Sequence, residues 1–344
     1  MKKLMSVLLA VVMSLSLAAC GGGAAGSGSE SSGAGANTGS GGGSSDLIVV
    51  GFSQVGAESD WRTANTKSMK DTFVESKGYK LIFDDAQQKQ ENQITAIRNF
   101  IQQEVDYIVL APVTETGWDT VLQEAKDAGI PVIIVDRMID VSDDSLFTCW
   151  VGSDFRKEGD KAVAWMEKQL KDKDKDKDKV NIVHLQGTIG SSAQIGRTEG
   201  LEAGVKANQN WKLVAQQTGE FTQAKGQEVM ESILKQNDDI DVVYCENDNM
   251  AFGAIDAIEA AGKKAGKDGD ITVISFDSTR AGLKAALEGK INYNVECNPL
   301  HGPRVEAIIK EMEAGKTPEK LAYVDETTFD TATITQDVID KRAY

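Results

Sequence analysis

The sequence predicts an α/β protein of two lobes, each built on a parallel sheet. Two observations carry this. Short apolar runs rich in β-branched residues alternate with segments whose apolar residues recur at helical spacing, and after an irregular passage between Asp136 and about Ser153 the alternation starts again. The rhythm repeats although the sequence does not.

In the first lobe the strands are read at "LIVVGF", "YKLIF", "DYIVLAP" and "PVIIVDR", with helices between them such as "NQITAIRNFIQQ". The second lobe opens with a helix from about Phe155. Strands "VNIVHLQG", "WKLVAQQ", "DVVYCEND" and "ITVISFD" follow, separated by helices, and then a further strand, "INYNVEC". The run "KDKDKDKDK" from Lys171 places Asp172, Asp174 and Asp176 alternately, as a calcium loop does. Its sixth position is Lys177 rather than Gly and its twelfth is Val183 rather than Glu, so it reads as a solvated connector.

Ahead of these lobes, "MKKLMSVLLAVVMSLSLAAC" has two lysines, a short apolar run and small residues before Cys20, the form of a secretory signal. "LAAC" matches a bacterial lipoprotein cleavage site, which makes Cys20 the expected lipidated residue and residues 1–20 the leader. Acyl chains contribute roughly 0.8 kcal/mol per buried CH₂, enough to anchor a protein that does not span the bilayer. No later segment approaches the roughly 20 apolar residues of a transmembrane helix. Residues 21–45, nearly all Gly, Ser and Ala, bury too little apolar surface to order themselves and read as a flexible tether. The net charge of −16 argues against a nucleic-acid or anionic-lipid surface. The localisation read from all this is extracytoplasmic and lipid-anchored.

Three further cysteines, Cys149, Cys245 and Cys297, cannot all pair with one another and match no zinc spacing; they read as small, part-buried residues.

Polar residues collect where an open parallel sheet binds ligands, outside the carboxyl ends of its strands. The first lobe presents Glu58 with Trp61 and Arg62, then Asp85 and Gln87, Pro112 and Thr114, and Asp136 with Arg137. The second presents Gln186 through Ser192 with Arg197, then Phe221, Asn247 with Asp248, and Asp277. If the two edges face each other, the cleft suits a small polyhydroxylated molecule: Trp61 and Phe221 to stack on an apolar C–H face, and the charged and amide groups to bond a rim of hydroxyls. Each residue alone has a plainer explanation, such as a helix cap or a local ion pair; at equivalent strand ends together they favour a site.

The segments "DWRTA", "DDAQQKQENQITAIRNFI", "APVTETGWDTVLQEAKDAGIPVIIVDR", "LQGTIGSSAQIGR", "GEFTQAKGQEVMES", "ENDNMAFGAI" and "SFDS" together resemble the type I periplasmic sugar-binding proteins of ABC transporters, and within them the galactofuranose-binding branch, from about Leu47 to Phe329. The resemblance implies two doubly wound lobes joined by a three-stranded hinge that close on one monosaccharide. It places crossings near Ser153, Cys297 and Thr328, so the lobes would be 46–153 plus 298–327 and 154–297 plus 328–344. It also implies that Asp136 and Arg137 grip hydroxyls, that Arg197 reaches in after the glycine-rich turn, that Phe221 closes one face, and that Asn247 and Asp277 contribute from the second lobe. Trp61 and Arg62 would be the first lobe's stacking plate and clamp. Asp60 and Cys297 depart from the ribose binders, which points away from ribose itself.

Enzyme chemistry is not expected. His184 lies in a strand and His301 at a helix start, no nucleophile elbow or metal cluster is legible, and "LQGTIGSS" lacks the GxxxxGK[ST] spacing of a phosphate loop. Neither cofactor nor metal is expected. The expected partners are a monosaccharide, an ABC transporter permease and, through Cys20, a membrane, with the protein a monomer. An alternative of a different class is a sugar sensor engaging a chemoreceptor or sensor kinase.

Overall fold

In the first half of the chain, β1 (Ile48–Gln54), α1 (Asp60–Thr72), β2 (Tyr79–Asp85), α2 (Gln90–Gln102), β3 (Tyr107–Leu110), α3 (Asp119–Asp127), β4 (Val132–Val135) and β5 (Cys149–Gly152) follow one another. Then come α4 (Phe155–Lys173), β6 (Val180–Gln186), α5 (Ser192–Ala207), β7 (Trp211–Thr218), α6 (Gln223–Leu234), β8 (Val242–Cys245), α7 (Asp248–Ala260), β9 (Thr272–Asp277), α8 (Arg280–Leu287) and β10 (Tyr293–Glu296). The chain closes with α9 (Gly302–Glu313), β11 (Leu321–Tyr323), β12 (Thr328–Asp330) and α10 (Gln336–Lys341). A computed structural model describes residues 47–173 and 179–344 of the protein. The leader with Cys20, the 21–45 tether and most of the lysine-aspartate run lie outside the described residues.

Two six-stranded sheets result, with orders β2-β1-β3-β4-β5-β11 and β7-β6-β8-β9-β10-β12. The orders are the same, strand for strand. In both, the first strand sits between the second and the third, which creates a topological switch point between β1 and β3 and between β6 and β8. All pairings are parallel except β12, which runs antiparallel to β10. β3 (YIVL) and β4 (VIIV) are buried at every residue, as strands covered on both faces must be. The helices that cover them bury one stripe each: α2 buries Gln93, Ala96, Ile97 and Phe100, the i, i+3, i+4, i+7 pattern of a one-sided helix.

Three short strands are not legible in the sequence. β5 lies inside the irregular passage before Ser153, and β11 and β12 are three-residue edge strands. The chain leaves the first sheet after β5, returns between β10 and α9, and leaves it again between β11 and β12. α9 packs on α1, where the Gly302 amide donates to Ser68 Oγ at 3.0 Å.

All three cysteines are free and buried. His301 precedes α9 with its Nδ1 2.9 Å from Asn65 Nδ2, and burial pulls its pKa down to about 4. His184 sits in β6 against Glu246 at 2.9 Å. Both are structural placements. Among the described residues no helix is long and apolar enough to cross a membrane.

Candidate ligand-binding site

The helices that point at the cleft begin with side-chain caps. Ser59 caps α1, Ser191 caps α5, Thr222 caps α6, Asn247 caps α7 and Thr279 caps α8, each accepting a hydrogen bond from a backbone amide in the first turn. The caps fix how the chain turns from strand end to helix, and so where the adjoining side chains go.

Backbone conformation does the rest. Asp136 follows β4 with φ 64° and Asp277 ends β9 with φ 97°, both left-handed. β4 and β9 hold the same place in the two sheets, so the aspartates are topological counterparts. Glu220 and Phe221, after β7, form a left-handed pair (φ 55° and 61°), as do Gln87 and Gln88 after β2 (φ 53° and 61°). Such conformations cost on the order of 1–3 kcal/mol for a non-glycine residue and persist where the surroundings impose them, commonly at ligand sites. The Phe221 ring is seated by Gly187, where an added Cβ would lie 1.9 Å from the ring.

All nine residues expected at the site, Glu58, Trp61, Arg62, Asp136, Arg137, Arg197, Phe221, Asn247 and Asp277, line one cavity. Ser59, Phe155, Ala193 and Cys297 complete its wall. Asp85 and Gln87 do not reach it: Asp85 Oδ1 accepts from the Gln87 amide and shapes the turn. Thr114 stands at the lobe junction, near Gly190.

On the first-lobe wall, Arg62 Nε lies 3.0 Å from Glu58 Oε1 and its Nη2 lies 2.8 Å from Asp136 Oδ2. Arg137 lies 3.8 Å from Glu58 and 4.0 Å from Asp136, and its Nη1 donates to the Val113 carbonyl at 3.1 Å. Burial alone would lower the Arg62 pKa; Asp136 and Glu58 more than reverse it. Burial lowers Arg137 to about 10, and Arg62 adds to the fall. The guanidinium of Arg62 lies 4.6 Å from the Trp61 ring centroid, and Trp61 Nε1 donates to the Cys297 carbonyl at 2.7 Å.

Across the cleft, Arg197 donates from Nε to Glu158 Oε2 at 2.7 Å, contacts the Glu246 carbonyl through Nη1, and places Nη2 3.6 Å from Asp277 Oδ1. Burial pushes the Asp277 carboxyl up to about 8, with Arg197 opposing and Asp248 and Asp136 adding. Asn247 donates to the Phe221 carbonyl at 3.0 Å and so ties the aromatic to the start of α7. Sequence reasoning missed Glu158 and Phe155, which lie within the first turn of α4 just past a crossing and carry no strand-end signal. Cys297 stands out in the sequence as a free cysteine, a crossing point and a departure from the ribose binders, not as a cavity residue.

The two walls are closed over the cavity. The Asp60 amide donates to Asn249 Oδ1 (3.0 Å), the Met138 amide to Ser192 Oγ (2.8 Å) and the Glu115 amide to the Gly190 carbonyl (2.9 Å), while Arg137 lies 5.1 Å from the Phe221 ring centroid. Inside, Glu58 Oε2 and Arg137 Nε are buried without a hydrogen-bond partner, and Asp136 Oδ2 has its ion pair but no aligned donor. Buried polar atoms are normally satisfied, so unsatisfied ones lining a cavity mark where a polar ligand belongs.

Residues 50–302 match the family model described as periplasmic binding protein domain. The chain is 44% identical over 286 residues to galactofuranose-binding protein YtfQ of Escherichia coli (strain K12), covering 82% of this chain and 87% of that one. A crystal structure from Mycobacterium smegmatis in complex with β-D-fucofuranose matches at 47% identity with a TM-score of 0.79, covering 83% of this chain and 92% of that one. The periplasmic binding protein of the arabinose ABC transporter of Shewanella sp. ANA-3, bound to α- and β-L-arabinofuranose, matches at 45% identity with a TM-score of 0.78, covering 86% and 95%. The family model and these relatives are those of substrate-binding proteins, not enzymes. The chain belongs to the periplasmic binding protein family, with the type I architecture.

Proposed function

We propose that this protein is a membrane-tethered, extracytoplasmic solute-binding lipoprotein that captures a monosaccharide in its furanose form and delivers it to an ABC transporter permease. The observation that carries the reading is one cavity lined from both lobes by three arginines, the carboxyl groups of Glu58, Asp136 and Asp277, and the rings of Trp61 and Phe221. Hydroxyls satisfy both signs of charge at once, donating to Glu58 Oε2 and Asp136 Oδ2 and accepting from Arg137 Nε, while the rings cover the C–H faces. Hydrogen bonds to charged groups contribute about 1.5–3 kcal/mol each, so three or four reach the roughly −8 kcal/mol of micromolar binding. The furanose preference is supported by relatives at 44–47% identity named for galactofuranose, fucofuranose and arabinofuranose.

The working division is 46–153 plus 298–327 against 154–297 plus 328–344, rotating about the three crossings. Among the described residues the lobes meet over the cavity through three hydrogen bonds from backbone amides, one from the Trp61 indole and one cation–π contact, so a ligand touching both walls shifts the population toward the closed form. Cys20 supplies the anchor and residues 21–45 the reach. A thermal-shift screen of furanose-forming sugars tests the ligand class, because binding raises stability by RT ln(1 + [L]/Kd). Small-angle scattering tests closure: the radius of gyration falls on adding a stabilising sugar, and an unchanged radius contradicts hinge closure.

A further inference from the structure

Beside Arg197, a second set of ionisable groups joins all three crossings. Glu326, on the third, accepts from Ser153 Oγ on the first (2.6 Å) and from the Asn298 amide on the second (2.7 Å). Ser153 Oγ is also 3.3 Å from Cys297 Sγ. An oxygen of Glu326, an oxygen of Glu158 and Cys297 Sγ all lie within 4.8 Å of one another. Glu158 is 1% exposed; its Oε2 is held by Arg197, and its Oε1 has no hydrogen-bond partner.

The charges facing this pair can be counted element by element. α5 offers Arg197, β9 ends in Asp277, the second crossing carries the Cys297 thiol, α9 offers Arg304 toward Glu326, and α4 offers Lys161, whose Nζ donates to the Glu326 carbonyl at 2.8 Å. Of these groups only Arg197 donates to a carboxylate oxygen of the pair. Two facing carboxylates with one buried oxygen lacking a donor are one proton short of a satisfied arrangement.

We infer that Glu158 and Glu326 share one proton, and that this proton makes them a positioning pair: it locks the three crossings together and aims Arg197 into the ligand cavity. Burial raises both carboxyls above the ordinary glutamate range; Arg197 opposes this, and for Glu158 the facing Glu326 adds to it. A raised pKa in the folded state means stability that is complete below the ordinary glutamate range and is lost as pH climbs through the folded-state value. A divalent cation would satisfy the same oxygens, but the guanidinium already against Glu158 disfavours it. The link to ligand affinity rests on the proposed sugar-binding role of Arg197; the proton itself does not.

The test uses the full chain without sugar, as wild type, Glu326→Gln and Glu158→Gln. In Glu326→Gln the side-chain amide keeps an acceptor for Ser153 and Asn298 and supplies a permanent donor to Glu158. Infrared spectra at neutral pH should show a protonated-carboxyl C=O band in wild type that weakens in Glu326→Gln, and the fall in Tm as pH rises above the ordinary glutamate range should be shallower in that variant by one titrating group. A band unchanged in both variants, or superimposable pH profiles, overturns the inference. So does a rise in Tm with added zinc that Glu326→Gln removes, which would make the cluster a metal site. If neither variant folds, carbon-13-labelled glutamate in wild type reads the same proton by NMR, and the absence of any glutamate titrating above the ordinary range overturns it. With a bound sugar, the affinity of wild type should fall with rising pH more steeply than that of Glu326→Gln. Failure of all sugars to bind would contradict the proposed function and leave the infrared and NMR results standing.

Discussion

The two lobes share one strand order, one placement of left-handed aspartates and one placement of left-handed residue pairs, yet the walls they present to the cavity are electrically different. The first-lobe wall sets Arg62 and Arg137 against Glu58 and Asp136, two of each sign, within 2.8–4.0 Å. The second-lobe wall sets Arg197 alone against Asp277 and Glu158, with Glu326 behind. Charge balance lets the first wall stand preassembled. On the second wall burial raises the Glu158 and Asp277 carboxyls, Arg197 opposes it, and neighbouring acids add to it.

The largest predicted effect breaks the balanced wall. Asp136→Ala leaves Arg62 and Arg137 sharing one acid; breaking a buried pair from one side costs about 3–5 kcal/mol of stability, visible in Tm, and sugar binding should vanish. Next, Trp61→Ala removes the stacking plate and should weaken binding by about 100-fold, roughly 2.7 kcal/mol, with Phe221→Ala a smaller loss because Arg137, 5.1 Å from that ring, still covers that side.

Asp277→Asn separates the two walls by pH. Held up to about 8 by burial, Asp277 keeps a proton at neutral pH, so the neutral isostere should cost about tenfold or less in affinity at pH 7. Because the folded value lies above the unfolded one, stability is complete below about pH 4 and falls as pH rises to about 8, by at most about 1.4 kcal/mol per unit for this one group. Asp277→Asn should flatten that part of the Tm profile; an unchanged slope would place the surplus charge elsewhere. The smallest effect is expected for Arg98→Ala, whose pair with Glu124 is exposed on the far side of α2, and the titration isotherm should be unchanged.

What the sequence revealed follows the same division. Strand cores were legible because β3, β4 and β8 are unbroken apolar runs, and the strand-end residues were legible because a parallel sheet has only one edge where ligands bind. Trp61, Arg62, Asp136 and Asp277 stood out there as side chains that a core does not need. Glu158, Phe155 and Glu326 did not, since they lie at or just past the crossings, where no strand end announces them and contacts leave no periodicity: Ser153 meets Glu326 across a separation of 173. β11 and β12, with three residues each, were too short to show alternation.

The central claim is that the two walls close on a furanose. Isothermal titration of the full chain with L-arabinose, D-galactose and D-fucose, whose solutions contain furanose forms, tests it most directly. A one-to-one isotherm of micromolar or tighter affinity is expected for at least one of them, absent in Asp136→Ala and absent for the corresponding methyl pyranosides. Heat-silent titrations with all three sugars on protein shown to be folded, or equal binding of the locked pyranosides, would contradict it.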